Sequence, residues 1–310
     1  MSNISKYIFP KYYLFNFIMD QFNSIESLVG NTPLVKYSQN IYCKFEAYNP
    51  TGSIKDRVVF YIIQHAIKNN LLKPNQTIIE ASSGNTGIAV AFFSSLLKHP
   101  CKIIMPSDMS DERKKYIKLF GAELIEVDAG DFKSAIQLRN KLAKENNWFN
   151  INQFNNTLNI ECHYSNTGTE IIKQLPPTII PDVLISGTGT GGTIMGVSKK
   201  LKEINPNLKV IVIEPDESPV MSGGNPGLHK IQGIGDGSKF LVDMSNVDQI
   251  IRIKSDDAIE KSKQLCKNGY FVGISAAANI LGAEQYSATH HNDTIITFFC
   301  DRGDRYLSMF

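Results

Sequence analysis

From residue 32 onward, short unbroken runs rich in Val and Ile alternate with longer stretches in which apolar residues recur every three or four positions. An unbroken apolar run suits a strand buried on both faces, and the longer period suits helices that cover it. The pattern predicts strands over 41–46, 77–81, 102–106, 123–127, 182–187, 209–215 and 294–299. Between them it predicts helices over 55–70, 87–97, 110–120, 132–146, 168–175, 193–204 and 257–269. Strands that alternate with helices form βαβ units, so the class is α/β with mostly parallel sheet. The stretch 150–168, NINQFNNTLNIECHYSNTG, is polar and aperiodic, and a domain crossing or a functional loop is expected there.

Composition narrows the function classes. A chain of 310 residues with 42% apolar side chains can bury a sizeable core, and its length suits about two domains. Lys plus Arg number 32 against 30 Asp plus Glu, which leaves no electrostatic footprint for nucleic acid. The five cysteines (Cys43, Cys101, Cys162, Cys266 and Cys300) are odd in number and widely spaced, which fits neither a disulfide framework nor a zinc knuckle. No metal site is expected, the Cys162–His163 pair included, and a reducing compartment is the default. The first 18 residues are aromatic but broken by Pro10 and Lys11 and lack a small-residue cleavage site, so they are expected to be an extension, with Met19 an alternative start. No segment approaches the roughly 18 apolar residues of a membrane span, so a soluble, cytoplasmic protein is expected.

In doubly wound sheets ligands sit where strands end and helices begin, and four such turns carry side chains that packing does not explain. In NPTGSIKDR, Lys55 opens an apolar-striped helix. The positive end of the helix dipole, together with burial, would lower the amine's pKa and free it for Schiff-base chemistry; an exposed lysine followed by Asp56 and Arg57 is the alternative. In EASSGNTG, Ser82, Ser83, Asn85 and Thr86 lead directly into a helix whose first N–H groups are free to hold a carboxylate. In SGTGTGGT, Gly187, Gly189 and Gly192 satisfy GxGxxG with Glu214 at the expected distance, which alone suggests a dinucleotide. The interleaved Thr188, Thr190 and Thr193 suit a single terminal phosphate instead. In GISAAANI, Ser275 precedes a helix of small residues, where helix capping is the alternative role. The tail CDRGDRY, taken alone, would pass for a solvated charge run.

Together these segments resemble one family. From about Ser24 to Tyr306 the motifs NTPLV, NPTGSIKDR, EASSGNTGIA, MPSDMSDERKKYIKLFGAEL, QFNN, GTGTGGT, EPDESPVMSGG, HKIQGIG and CDRGDRYLS are similar to those of the cysteine synthase (O-acetylserine sulfhydrylase) family. That family comprises fold-type II pyridoxal-phosphate enzymes. The resemblance implies two domains, each a mostly parallel twisted sheet flanked by helices, in the manner of the tryptophan synthase β subunit. It implies a smaller mobile domain over 46–160 and a larger cofactor-binding domain from 19–45 plus 161–310. It further implies that Lys55 carries pyridoxal 5'-phosphate and acts as the catalytic base. Asn85 would bond the ring oxygen, Gly189, Thr190, Gly191, Gly192 and Thr193 would cradle the phosphate, and Ser275 would face the ring nitrogen. Ser82, Ser83, Asn85, Thr86 and Gln153 would take the substrate carboxylate.

The implied reaction is β-replacement of O-acetyl-L-serine by sulfide through an α-aminoacrylate intermediate, in a homodimer that also docks the C-terminal peptide of a serine acetyltransferase. CDRGDRYLS and MPSDMSDERKK look like the B-type isoform. SPVMSGGNPGLHKIQGIG is similar to the A-type and lacks the B-type arginine, which puts thiosulfate use in doubt. Ala276 and Ala277 stand in place of the family's usual Ser-Gly, which should narrow the pocket wall slightly. The alternative within the superfamily is an enzyme using another activated serine or thiol, cystathionine β-synthase-like or phosphoserine-dependent. From other classes, a nicotinamide-binding oxidoreductase and a catalytically silent binding module remain open.

Overall fold

The computed structural model describes residues 25–82 and 84–310; the extension over 1–18, Met19 and Ser83 lie outside the described residues. The strands are β1 (Leu34–Lys36), β2 (Ile41–Phe45), β3 (Ile78–Ala81), β4 (Cys101–Pro106), β5 (Glu123–Val127), β6 (Phe149–Asn150), β7 (Val183–Gly187), β8 (Lys209–Pro215), β9 (Gln249–Ile253) and β10 (Ile295–Phe299). They form two sheets. One has the order β5-β4-β3-β6 and is parallel throughout; the other has the order β1-β2-β10-β7-β8-β9, with only the β1–β2 pair antiparallel.

All seven predicted strands form, and each central strand shows why its sequence has no polar alternation. Val183 and Ile185 of β7 pack into one apolar cluster while Leu184 packs into another on the opposite face. Ile78 and Ile79 of β3 divide between two clusters in the same way. With both faces covered, most positions are apolar, and the buried polar exceptions Lys44, Glu80, Ser186, Glu214 and Thr297 are all hydrogen-bonded. β1, β6 and β9 escape the pattern because they are edge strands of three, two and five residues with largely half-exposed or exposed side chains.

The stretch 150–168 departs from expectation. Its second half is helical, Leu158–Cys162 followed by a π-helical turn His163–Gly168 and the helix Thr169–Gln174. Periodicity failed there because the buried face is polar: Asn159, His163 and Thr167 are nearly or wholly buried. His163 is bonded on both ring nitrogens, to Thr167 Oγ1 at 2.9 Å and Thr193 Oγ1 at 3.1 Å. The following helix, Gly192–Leu201, comes so close that a Cβ at Gly196 would overlap the backbone of Ile160.

A buried ion cluster fastens the helix Lys55–Lys68 to its surroundings. Arg57 Nε meets Glu46 Oε2 at 2.6 Å, Arg57 Nη1 meets Glu170 Oε1 at 2.6 Å, and Lys44 Nζ meets Glu170 Oε2 at 2.8 Å. Burial pushes both carboxyl groups up, but the Arg57 charge and its hydrogen bonds more than offset this and hold them below the usual carboxylate range. Both carboxylates therefore stay ionised beside Arg57, while burial lowers the pKa of the Lys44 amine. Among the described residues no helix is long and apolar enough to cross a membrane, and no group of three or more His, Cys, Asp or Glu could hold a metal ion.

Removing Arg57 strands two buried carboxylates. Arg57→Leu is expected to cost about 3–5 kcal/mol in denaturant unfolding. Because the native carboxyl pKa values are depressed, their stabilisation is present above the unfolded value of about 4.3 and lost as pH falls through the native value. The variant should therefore lose less stability than the parent between pH 7 and pH 3. A cost under about 1 kcal/mol would show that the cluster contributes little.

Candidate active site

The carboxyl ends of β3, β7 and β10 converge on a cleft. Lys55, Ser82, Asn85, Thr86, Gln153, Gly189, Thr190, Gly191, Thr193 and Ser275 all line it. Of the predicted set only Gly192 does not line it, and Ser83 lies outside the described residues.

Lys55 is the first residue of its helix, and the turn before it is fastened to the end of β10. Ile54 N donates to the Cys300 carbonyl at 2.9 Å, Arg302 N donates to the Gly52 carbonyl at 3.2 Å, and Ser53 forms an antiparallel bridge with Asp301. Gly52 permits the turn with φ +84°. The side chain keeps some surface because it borders the cleft, yet protein surrounds it. Burial lowers the amine's pKa; the opposing pull of Cys300, Asp236 and Asp301 does not restore it. Lys55 Nζ has no hydrogen-bond partner among the described residues.

The SSGNT turn follows β3. Ser82 Oγ accepts from Gly84 N at 3.3 Å and Gly87 N at 3.0 Å and so caps the helix Asn85–Leu96. Thr86 Oγ1 donates to Gln153 Oε1 at 2.6 Å, which brings Gln153 from the 150–168 segment to the turn. Asn85 Nδ2 donates to Asp301 Oδ2 at 2.7 Å, while Asn85 Oδ1 is buried without a partner.

The glycine-rich loop follows β7 and opens the helix Gly192–Leu201. Gly191 has φ +88°, and a Cβ at Gly192 would overlap the Asn159 amide. Gly192 thus acts indirectly: by admitting Asn159 it lets Nδ2 donate to Thr190 Oγ1 at 3.0 Å and set the loop's shape. Thr188 Oγ1 is buried without a partner. Burial, with the Lys55 and Arg57 charges, drives His163 well below its usual pKa, so the ring that steadies Thr193 is neutral. The N–H groups that open this helix suit an anion, although Gly192 N already donates to Thr190 Oγ1 at 3.4 Å.

Three readings change. Glu214, the residue that GxGxxG would assign to a ribose, accepts instead from Met221 N at 2.7 Å and Ser222 N at 3.3 Å and holds a loop. Ala276 and Ala277 face the apolar core and do not line the cleft, so they do not narrow it. CDRGDRY is no solvated run: Asp301 and Arg305 are buried, and Asp301 also accepts from Tyr306 Oη at 2.6 Å. Cys300 borders the cleft; burial pushes its thiol up to about 12, which keeps it protonated. Asp301, Asn159, Arg113 and Asp236 are the cleft groups, or supports of cleft groups, to which the sequence assigned no role.

A partner-free amine, a helix start whose N–H groups suit an anion, and the unpaired buried Thr188 hydroxyl suit a phosphorylated ring bearing an aldehyde, while the unpaired Asn85 Oδ1 leaves that amide an acceptor without a partner. A family model described as pyridoxal-phosphate dependent enzyme matches residues 25–301. The chain is similar to a cysteine synthase of Staphylococcus aureus, 38% identical over 299 residues, covering 92% of this chain and 96% of that protein. Among solved structures it is similar to a cysteine synthase from Entamoeba histolytica, with TM-score 0.87, 37% identity and coverage of 99% and 93% of the two chains. It is also similar to a hydrogen sulfide-producing enzyme from Fusobacterium nucleatum, with TM-score 0.87, 36% identity and coverage of 96% and 91%.

Gly192→Ala must displace Asn159 from Thr190. The expected cost is about 1–3 kcal/mol of stability, read from thermal unfolding, together with weaker retention of cofactor absorbance through gel filtration. Unchanged stability and retention would show that Asn159 does not set the loop.

Proposed function

The chain belongs to the pyridoxal-phosphate-dependent enzyme family, and from that premise we propose that it makes L-cysteine from O-acetyl-L-serine and sulfide by β-replacement. What carries this reading is the presence, in one cleft, of the Lys55 amine and the uncharged Ser275. The cofactor, when bound, draws electrons away from the Cα of an attached amino acid. The N–H groups of Gly189 to Thr193 would hold its phosphate and the Asn85 amide its ring oxygen. A hydroxyl at Ser275 supplies no negative charge to keep the ring nitrogen protonated. That limits electron withdrawal, so loss of a β-substituent is favoured over transamination or racemisation.

Lys55 Nζ would take the Cα proton and later return it, a task helped by the burial that lowers its pKa. Ser82, Thr86 and Gln153, with Ser83, would bind the substrate carboxylate, and closure of their turn would exclude water. The similarity to a sulfide-producing enzyme supports sulfur chemistry at the β-carbon, whichever way sulfide moves. The domain division at 46–160 belongs to this reading. That the four-stranded sheet comes wholly from 78–150, and the six-stranded sheet from 34–45 and 183–299, supports it. A cytoplasmic homodimer that docks a serine acetyltransferase tail rests on the family resemblance alone.

Borohydride reduction of the holoprotein followed by peptide mass spectrometry is expected to find the pyridoxyl group on Lys55, and an adduct on a different lysine refutes the assignment. Lys55→Ala should lower cysteine formation by roughly 10²–10⁴-fold. Steady-state rates with sulfide and thiosulfate side by side identify the sulfur donor.

A further inference from the structure

One buried ring joins the segment after Leu158 to the phosphate loop. His163 is wholly buried, with Nδ1 at 2.9 Å from Thr167 Oγ1 and Nε2 at 3.1 Å from Thr193 Oγ1. Thr167 is wholly buried as well, whereas Thr193 borders the cleft. The backbone is shaped for this junction: His163 opens the π-helical turn His163–Gly168, a rare winding found most often at functional sites. Two glycines admit the neighbouring helix Gly192–Leu201. A Cβ at Gly196 would lie 2.7 Å from His163 Cβ, and one at Gly168 would lie 2.6 Å from Lys200 Cβ.

A neutral imidazole carries one N–H and one bare nitrogen, so the two threonines cannot play the same part. The ring is neutral because burial, with the Lys55 and Arg57 charges, holds its pKa well below the ordinary value against the pull of Glu170. With the proton on Nδ1, Thr167 must accept, and its own hydroxyl proton then has no other acceptor among the described residues. Such a stranded buried donor is costly. Thr193 would also spend its proton on Nε2 and turn only lone pairs toward the cleft. With the proton on Nε2 every group is satisfied: Thr167 donates to Nδ1, Nε2–H donates to Thr193 Oγ1, and the Thr193 proton is left for the cleft.

We propose that His163 is a positioning residue for the cofactor's phosphate, acting as its Nε2–H tautomer to direct the Thr193 hydroxyl proton into the cleft. This rests on the assignment of the phosphate to the loop Gly189 to Thr193. The three groups donate in one direction, so each bond polarises the next and strengthens the last donor. The fold thus aims a hydroxyl at an anion without adding a charge beside Lys55.

Nitrogen NMR of the cofactor-free protein labelled in histidine, with the signal assigned by its loss in His163→Gln, reads the tautomer. A protonated Nε2 and a bare Nδ1 are expected at pH 7; a proton on Nδ1, or on both nitrogens, overturns the proposal. Affinity is read by absorbance titration of cofactor-free protein with pyridoxal 5'-phosphate and, separately, with pyridoxal, which lacks the phosphate. His163→Leu should weaken binding of pyridoxal 5'-phosphate about ten-fold and leave pyridoxal binding unchanged. His163→Gln, which can still donate from its amide nitrogen, should restore most of the loss. Equal weakening toward both ligands, no weakening at all, or no recovery in His163→Gln overturns the role. In a Thr193→Val background His163→Leu should cost nothing further, because the effect passes through that hydroxyl; a second loss of similar size contradicts it. Should His163→Leu fail to fold, the tautomer and Thr193→Val decide, the latter being required to bind pyridoxal 5'-phosphate more weakly and pyridoxal unchanged. If the phosphate assignment itself is wrong, the unmodified protein shows no preference for pyridoxal 5'-phosphate over pyridoxal. If only the role of His163 is wrong, that preference is present and survives His163→Leu.

Discussion

A lysine is useful as a base near neutrality only when water is kept from solvating its ammonium form, and the molecule achieves this by fastening one turn. The backbone before Lys55 is hydrogen-bonded to the residues after β10 through Ile54 with Cys300 and Gly52 with Arg302, and Arg305 adds a bond to the Gly52 carbonyl at 3.2 Å. These bonds hold the amine between the carboxyl ends of both sheets, where burial prevails over the nearby Asp236 and Asp301. Behind it, the buried ion cluster around Arg57 anchors the same helix. Geometry, desolvation and reactivity thus share one origin.

Asp301 extends that constraint to the rest of the cleft. Its backbone bridges Ser53 and accepts from Gly273 N at 3.1 Å, immediately before the helix that carries Ser275. Its side chain takes the Asn85 amide and the Tyr306 hydroxyl. One residue therefore ties together the turn bearing the amine, the start of the Ser275 helix and the SSGNT turn. Asn159 performs a comparable service for the phosphate loop, through Thr190 and the space left by Gly192.

What the sequence revealed follows the same physics. Strands buried on both faces, such as β7 and β8, announce themselves by unbroken apolar runs, and the turns that follow them hold most of the site. The short edge strands β1 and β6 lack enough buried positions to leave a pattern. The helix Leu158–Cys162 and the π-helical turn after it were illegible because their buried side is made of hydrogen-bonded Asn, His and Thr. Glu214 fits a dinucleotide motif by spacing, yet only the folded chain shows its carboxylate already taken. Asp301 and Asp236 have no local signature: a charged residue in a polar tail or a glycine-rich turn is ordinarily solvated, and only tertiary packing turns these two toward the cleft.

The central claim is that the Lys55 amine is desolvated by the fold itself, before any ligand arrives. Titration of the cofactor-free protein with isotopically labelled lysine, followed by NMR and assigned by comparison with Lys55→Arg, tests it directly. The account predicts that the Lys55 resonance titrates clearly below the roughly 10.4 of an ordinary lysine, apart from the bulk of the others. Titration at or above that value would contradict it.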